Sequence, residues 1–152
     1  MFRSFMPAAL AEARAAGARG EVPVGAVVTQ GSTVVAAAGN RCRAEDDPTA
    51  HAEMLAIRAA CAALGRERLT GCAIWVTLEP CAMCAQAIAH ARLDRLHFAT
   101  ADPKSGGVLQ GARVFDHPQC HHVPELHQGA CEAEASALLR SFFAARRDDR
   151  GT

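Results

Sequence analysis

Cys72-Ala73-Ile74-Trp75-Val76-Thr77-Leu78-Glu79-Pro80-Cys81-Ala82-Met83-Cys84 is the stretch on which the reading of this chain turns. Residues 72–77 are apolar and read as a buried strand that holds the only tryptophan, Trp75. Pro80 then opens a helix running to about residue 91. Proline suits the first helical position, where a backbone N–H would have no intrahelical partner. Residues 95–100 supply another strand. A strand feeding a helix that feeds a strand is the repeating unit of an α/β sheet.

The flanks agree with that unit. Residues 24–30 and 33–38 are short apolar runs split by Gly31-Ser32, which predicts a hairpin. Residues 39–47 are polar and read as a loop. A helix is expected over residues 49–64, with Asp47 or Thr49 as its N-cap and Gly65 as its stop. Within residues 1–20, Phe2, Phe5, Met6, Ala9, Leu10 and Ala13 share one helical face. Residues 101–118 form a long glycine-rich loop, a length usually tied to function or motion. Residues 131–147 predict a final helix whose apolar part is Leu138, Leu139, Phe142 and Phe143. Alternating strands and helices predict one three-layer α/β domain with a mixed sheet over residues 1–152.

Composition narrows the class. Half of the 152 residues are hydrophobic, enough for one packed core. No run approaches the roughly 18 consecutive apolar residues of a membrane-spanning helix, and no secretory leader is visible. The expectation is a cytoplasmic protein with no membrane partner. The 16 basic and 16 acidic side chains cancel, so no overall basic footprint for nucleic acid exists, although a local one can. Every basic residue except Lys104 is Arg, which suits bidentate phosphate contacts and stacking on bases. Seven cysteines in a non-secreted chain argue for thiols or metal ligands rather than disulfides. Cys42, Cys61, Cys72, Cys120 and Cys131 read as structural thiols.

Chemistry concentrates in His51-Ala52-Glu53 and Pro80-Cys81-Ala82-Met83-Cys84. Zinc favours tetrahedral nitrogen and sulfur ligands, and a catalytic site leaves one position open to water. One His and two Cys give three ligands. Cys81 and Cys84 are three apart, so they share a helix face in the first turn, where the dipole favours thiolate. Glu53, two residues past His51, is offset from the ligand position. It is placed instead to take a proton from the attacking water and return it to a ring nitrogen and a leaving amine. A Cys-x-x-Cys alone also fits a redox pair, and a structural zinc site would add a fourth ligand. His117, Cys120, His121 and His122 lie far downstream and read as surface or half-buried side chains. In combination the two motifs match the signature of zinc nucleobase deaminases.

The resemblance is narrower still. Glu21-Val22-Pro23-Val24-Gly25-Ala26-Val27, Asn40, Asp47-Pro48-Thr49-Ala50-His51-Ala52-Glu53, Thr77-Leu78-Glu79 before Pro80, Asp102-Pro103-Lys104, His117-Pro118, and Phe142-Phe143 with Arg146-Arg147 resemble the bacterial tRNA-specific adenosine deaminases. Those enzymes convert adenosine to inosine at the wobble position of a tRNA anticodon. The resemblance implies a cytidine deaminase-like three-layer α/β/α sandwich with a mixed five-stranded sheet, and a homodimer whose partner helps form the RNA site. It implies one zinc on His51, Cys81 and Cys84, with Glu53 as proton shuttle. Asn40 would hydrogen-bond the flipped adenine, and Asp102 would lie in the loop that positions the nucleotide sugar. Ala101 stands where many relatives carry Arg, and the loop over residues 105–115 is divergent.

The final helix bears on substrate class. Phe143, Arg146 and Arg147 are three to four apart and share a side, with Arg150 beyond. A ring beside guanidinium groups can stack a splayed base and hold its phosphates, as recognition of a tRNA anticodon loop requires. The alternative is a deaminase of a free base or nucleoside, such as guanine or cytosine, with the same fold and mechanism.

Overall fold

Five strands form one mixed sheet in the order β2-β1-β3-β4-β5. The strands are β1 Gly25–Gln30, β2 Thr33–Gly39, β3 Cys72–Leu78, β4 Arg95–Thr100 and β5 Glu125–Gln128. In this computed structural model residues 3–150 are described, with side chains through residue 148. Phe2 lies outside the described residues, as does the side chain of Arg150. β1 is antiparallel to both β2 and β3, whereas β3, β4 and β5 run parallel. The β1–β2 hairpin turns through Gly31 at φ +58°.

Alternation along each strand separates two cores. Ala26 and Val28 of β1, Ile74 and Val76 of β3, and Leu96 and Phe98 of β4 face helices α2 Ala52–Leu64 and α3 Ala82–His90. Val27, Trp75 and Ala99 face the other way, onto α1 Met6–Ala18 and α4 Glu132–Arg150. Burying a side chain such as Ile74 or Leu96 completely contributes about 1.5–3 kcal/mol each. The result is the three-layer α/β/α sandwich expected from the sequence. Phe5, Met6, Ala9, Leu10 and Ala13 are all buried, as the helical face predicted.

Close approach of α1 to the sheet depends on two glycines that pair across the hairpin, Gly25 and Gly39. A Cβ on Gly25 would collide with the Ala9 carbonyl, and one on Gly39 would lie 2.8 Å from the Glu12 carbonyl oxygen.

Two helix starts differ from the sequence expectation. α2 begins at Ala52 rather than at residue 49, with His51 as an extended N-cap. Asp47 does not cap it. Its Oδ1 accepts instead from Thr49 N at 2.8 Å and Thr49 Oγ1 at 2.7 Å, closing a turn before the helix. Pro80 likewise precedes α3 instead of occupying its first position, and Cys81 is the extended N-cap. In both cases the residue just before the helix, His51 or Cys81, has extended backbone, so the helix begins after it. β5 was not placed by pattern, because all four of its residues are exposed and no alternation marks it. The long loop after β4 holds one 3-10 turn, Val114–Asp116.

Candidate metal centre and catalytic cavity

His51 and Cys81 both occupy N-cap positions, and neither spends its side chain on capping. α2 and α3 lie side by side, so the two side chains point at each other. His51 Nδ1 lies 3.6 Å from Cys81 Sγ and 3.6 Å from Cys84 Sγ. The three ligand atoms all fall within 4.8 Å of one another, and no other such group of three occurs among the described residues. Tetrahedral zinc with ordinary Zn–S and Zn–N lengths separates a sulfur and a nitrogen ligand by about 3.6 Å. The donor set and its spacing therefore fit zinc.

Electrostatics in the cluster point the same way. A hydrogen bond from the Cys84 thiol, opposed by burial, brings the Cys81 thiol down to about 4, well into the thiolate range. The same bond, with burial, pushes Cys84 up, so the metal-free pair shares one proton. The hydrogen bond to Cys81 raises His51. Glu53 is only 4% exposed, and burial pushes its carboxyl up to about 7. It is positioned on the first turn of α2, beside the ligands but outside the set of three.

A cavity of about 270 Å³ opens over this cluster, lined among others by Asn40, His51, Glu53, Cys81, Asp102 and Arg146. The structure thus gathers six residues that the sequence singled out. Cys84 sits buried behind them. Phe143 and Arg147 are exposed and are not on the lining. The ring beside a guanidinium is Phe142, with Arg146 Cζ 4.6 Å from its centroid; Phe143 and Arg147 are also four apart but lie on the exposed side of α4. His117 and Cys120 bond to nearby backbone carbonyls, and His122 to the Leu93 carbonyl, instead of reaching the cluster.

Asn40 and Asp102 carry structural bonds as well. Asn40 Oδ1 accepts from Ala52 N at 2.8 Å, capping α2 from outside the helix, and Nδ2 donates to the Val22 carbonyl at 3.2 Å. One N–H of that amide remains for the cavity. Asp102 Oδ1 accepts from Lys104 N and Ser105 N, a turn of its own.

Glu79 and Glu21 stand in the sequence motifs, but only the fold shows what each of them does. Glu79, 2% exposed, accepts from Asp102 N through Oε1 and from Val108 N, Leu109 N and Gln110 N through Oε2. One carboxylate thereby gathers four backbone N–H groups of the loop after β4. Glu21, also buried, accepts from Arg43 N and Ala44 N and fixes the loop after β2. Those backbone bonds, with Arg19 and Arg43 nearby, outweigh burial and lower its carboxyl below the usual value. The available signal was an acidic residue inside an apolar strand boundary, which must be bonded if buried.

Fold and centre together define a deaminase, and a profile of the MafB19-like deaminases matches residues 2–147. The tRNA-specific adenosine deaminase of Agrobacterium fabrum (strain C58) is 52% identical over 145 residues, covering 95% of each chain. The chain belongs to the tRNA-specific adenosine deaminase family. A solved structure from a study of A-to-I editing by tRNA:A34 deaminases at the wobble position of transfer RNA superposes with a TM-score of 0.87. It is 52% identical and covers 89% of this chain and 98% of its own. A guanine deaminase from Bacillus subtilis is also similar, 29% identical with a TM-score of 0.65, covering 95% of this chain and 92% of its own. No helix among the described residues is long and apolar enough to cross a membrane.

Proposed function

We propose that this chain hydrolyses adenosine to inosine at the wobble position of a tRNA anticodon loop, releasing ammonia. The observation that carries the reading is the buried Glu53 carboxyl beside the His51, Cys81 and Cys84 cluster in one cavity, on a chain 52% identical to a tRNA-specific adenosine deaminase.

His51, Cys81 and Cys84 would hold zinc, which supplies the Lewis acidity that makes water a nucleophile near neutral pH. The chain's own groups do the rest. Glu53 lies buried within the cavity, so the adenosine must leave its stack for its reacting carbon to reach it. Asn40 offers its remaining amide N–H to the base edge, and the loop at Asp102 faces the sugar. Glu53, poised near neutrality, takes the proton of the attacking water and gives it to the ring nitrogen. A carbon–oxygen bond forms at the carbon bearing the amine. Glu53 then carries the remaining proton of the new hydroxyl to the amine, the carbon–nitrogen bond breaks as the carbonyl of inosine forms, and ammonia departs. A homodimer in the cytoplasm is the form of the enzyme that goes with this reading, and sedimentation velocity measures the assembly.

The test is direct. Zinc-loaded protein is incubated with tRNA, with adenosine, and with free adenine, guanine and cytosine, and inosine and ammonia are measured. Inosine at the wobble position is the expected result. Turnover of a free base with none on tRNA would make this a metabolic deaminase instead.

A further inference from the structure

We propose that Arg43 and Arg146 form a phosphate clamp at the rim of the cavity, gripping the phosphodiester next to the nucleotide being deaminated. The inference rests on the tRNA reading for its substrate. Arg146 is expected from the sequence, whereas Arg43 is supplied by the fold.

Both guanidinium groups hang from one atom. Arg43 Nη1 donates to the Gly20 carbonyl oxygen at 3.3 Å, and Arg146 Nη2 donates to the same oxygen at 2.7 Å. The two residues are far apart in sequence, on the loop after β2 and on α4, so the meeting is a product of tertiary structure. Phe142 holds the Arg146 guanidinium from one face. Both arginines line the cavity that contains His51 and Glu53.

Two like charges repel at this separation, and the chain does not neutralise them with an ion pair. Among the described residues Arg95 and Arg113 have carboxylate partners, and Arg43 and Arg146 have none. The Glu21 carboxylate feels the Arg43 charge, but the oxygens of the acidic groups nearby are bonded to backbone N–H groups rather than to either guanidinium. Glu21 is spent on Arg43 N and Ala44 N, Glu79 on four backbone N–H groups, and Asp102 on Lys104 N and Ser105 N. The rim thus sets carboxylates on backbone N–H groups and leaves two guanidinium forks on the cavity wall. Each fork has donors to spare after its single bond to Gly20. The two non-bridging oxygens of one phosphate can accept from both forks, the pairing for which Arg is best shaped. A base inserted in the cavity leaves its own backbone at this rim. The shared chemistry is a phosphate, which a polynucleotide supplies as a diester and a free nucleotide as a monoester.

The experiment compares the parent, Arg43→Ala, Arg43→Lys and the distant control Arg95→Ala. Substrates are an anticodon stem-loop RNA, adenosine monophosphate and adenosine, each over a range of salt. For the stem-loop, Arg43→Ala is expected to lower kcat/KM at least about tenfold, the loss of a charge-assisted contact. The slope of its logarithm against log salt should flatten by about 0.7, the value for one single-strand phosphate. Arg43→Lys should recover the slope but only part of the rate. The melting temperature should hold throughout, since Arg43 is exposed. An Arg43→Ala protein that matches the parent in rate and slope on RNA overturns the clamp while leaving the tRNA reading intact. A parent inactive on RNA overturns the tRNA reading. The clamp then survives only if Arg43→Ala impairs turnover of adenosine monophosphate and spares adenosine, and falls otherwise.

Discussion

Gly106 is packed against Glu79 so tightly that a Cβ on it would sit 2.6 Å from the Glu79 carboxyl carbon. The carboxylate and the loop it gathers therefore leave no room for a side chain. Gly106→Ala should push the carboxylate off Val108, Leu109 and Gln110, and Glu79→Gln should replace an acceptor with a donor facing N–H groups. Hydrogen bonds to a charged group contribute about 1.5–3 kcal/mol, so a loss of stability of about 3 kcal/mol is expected for either change. Urea unfolding measures it. Hydrogen exchange should show the amides of residues 108–110 losing protection first, with zinc retained. Unchanged exchange in Glu79→Gln would remove Glu79 as the organiser of this loop.

Cys81 should be the most reactive of the seven cysteines once zinc is removed. Its thiol is lowered to about 4, whereas burial raises Cys42, Cys61, Cys72 and Cys131 above the ordinary thiol value. A lowered thiol is ionised at every pH above its own value, so alkylation by iodoacetamide should be near its plateau at pH 6. The raised thiols should still be accelerating at pH 9. Peptide mapping after a short pulse reads the order. Zinc should protect Cys81 and Cys84 together. Zinc itself should be released as pH falls, since the ligands must shed protons to bind it. Cys84→Ala should purify with little zinc.

Glu53→Gln should keep zinc and lose turnover. The carboxyl lies outside the group of three ligand atoms yet inside the cavity, and its value of about 7 lets it both accept and return a proton near neutrality. Removing a general acid–base group costs roughly 10²–10⁴-fold in rate. Elemental analysis beside single-turnover inosine formation separates the two properties. Zinc lost with the carboxyl would make Glu53 a ligand, and the proton-shuttle role would go with it.

The parts of this site that were legible in sequence are those carried by local pattern. Apolar runs of strand length gave β1 to β4 to within a residue or so, and motif spacing gave His51, Glu53, Cys81 and Cys84. What stayed hidden was made by tertiary contact. β5 is exposed along its length and pairs only with β4, so no alternation betrays it. Asp47 and Pro80 are good helix-start residues, but their helices begin later, after His51 and Cys81 as extended N-caps. Glu79 reaches a loop more than twenty positions away, and Arg43 meets Arg146 across most of the chain. Side chains that bond backbone at such separations leave no periodic trace.

Asn40 offers the sharpest separation of structure from recognition. Its Oδ1 caps Ala52 N, the first N–H of α2, and its Nδ2 ties down Val22. Asn40→Ala removes both bonds. Loss of a helix cap costs about 0.5–2 kcal/mol, so the melting temperature should fall, unlike for a residue that touches substrate alone. His51 is the residue just before Ala52, so zinc affinity should weaken with the cap. Asn40→Asp keeps the acceptor and discards every donor. It should recover the cap and the zinc, because a carboxylate caps a helix N-terminus well, but not the stability of the Val22 bond, where an oxygen now faces the carbonyl. Its turnover should stay low, because the amide N–H that faces the cavity is gone. Calorimetry, zinc titration and deamination rate on the three proteins give the answer together. If Asn40→Asp deaminates like the parent, the amide contributes only to the cap, and recognition of the base belongs to the other residues of the cavity.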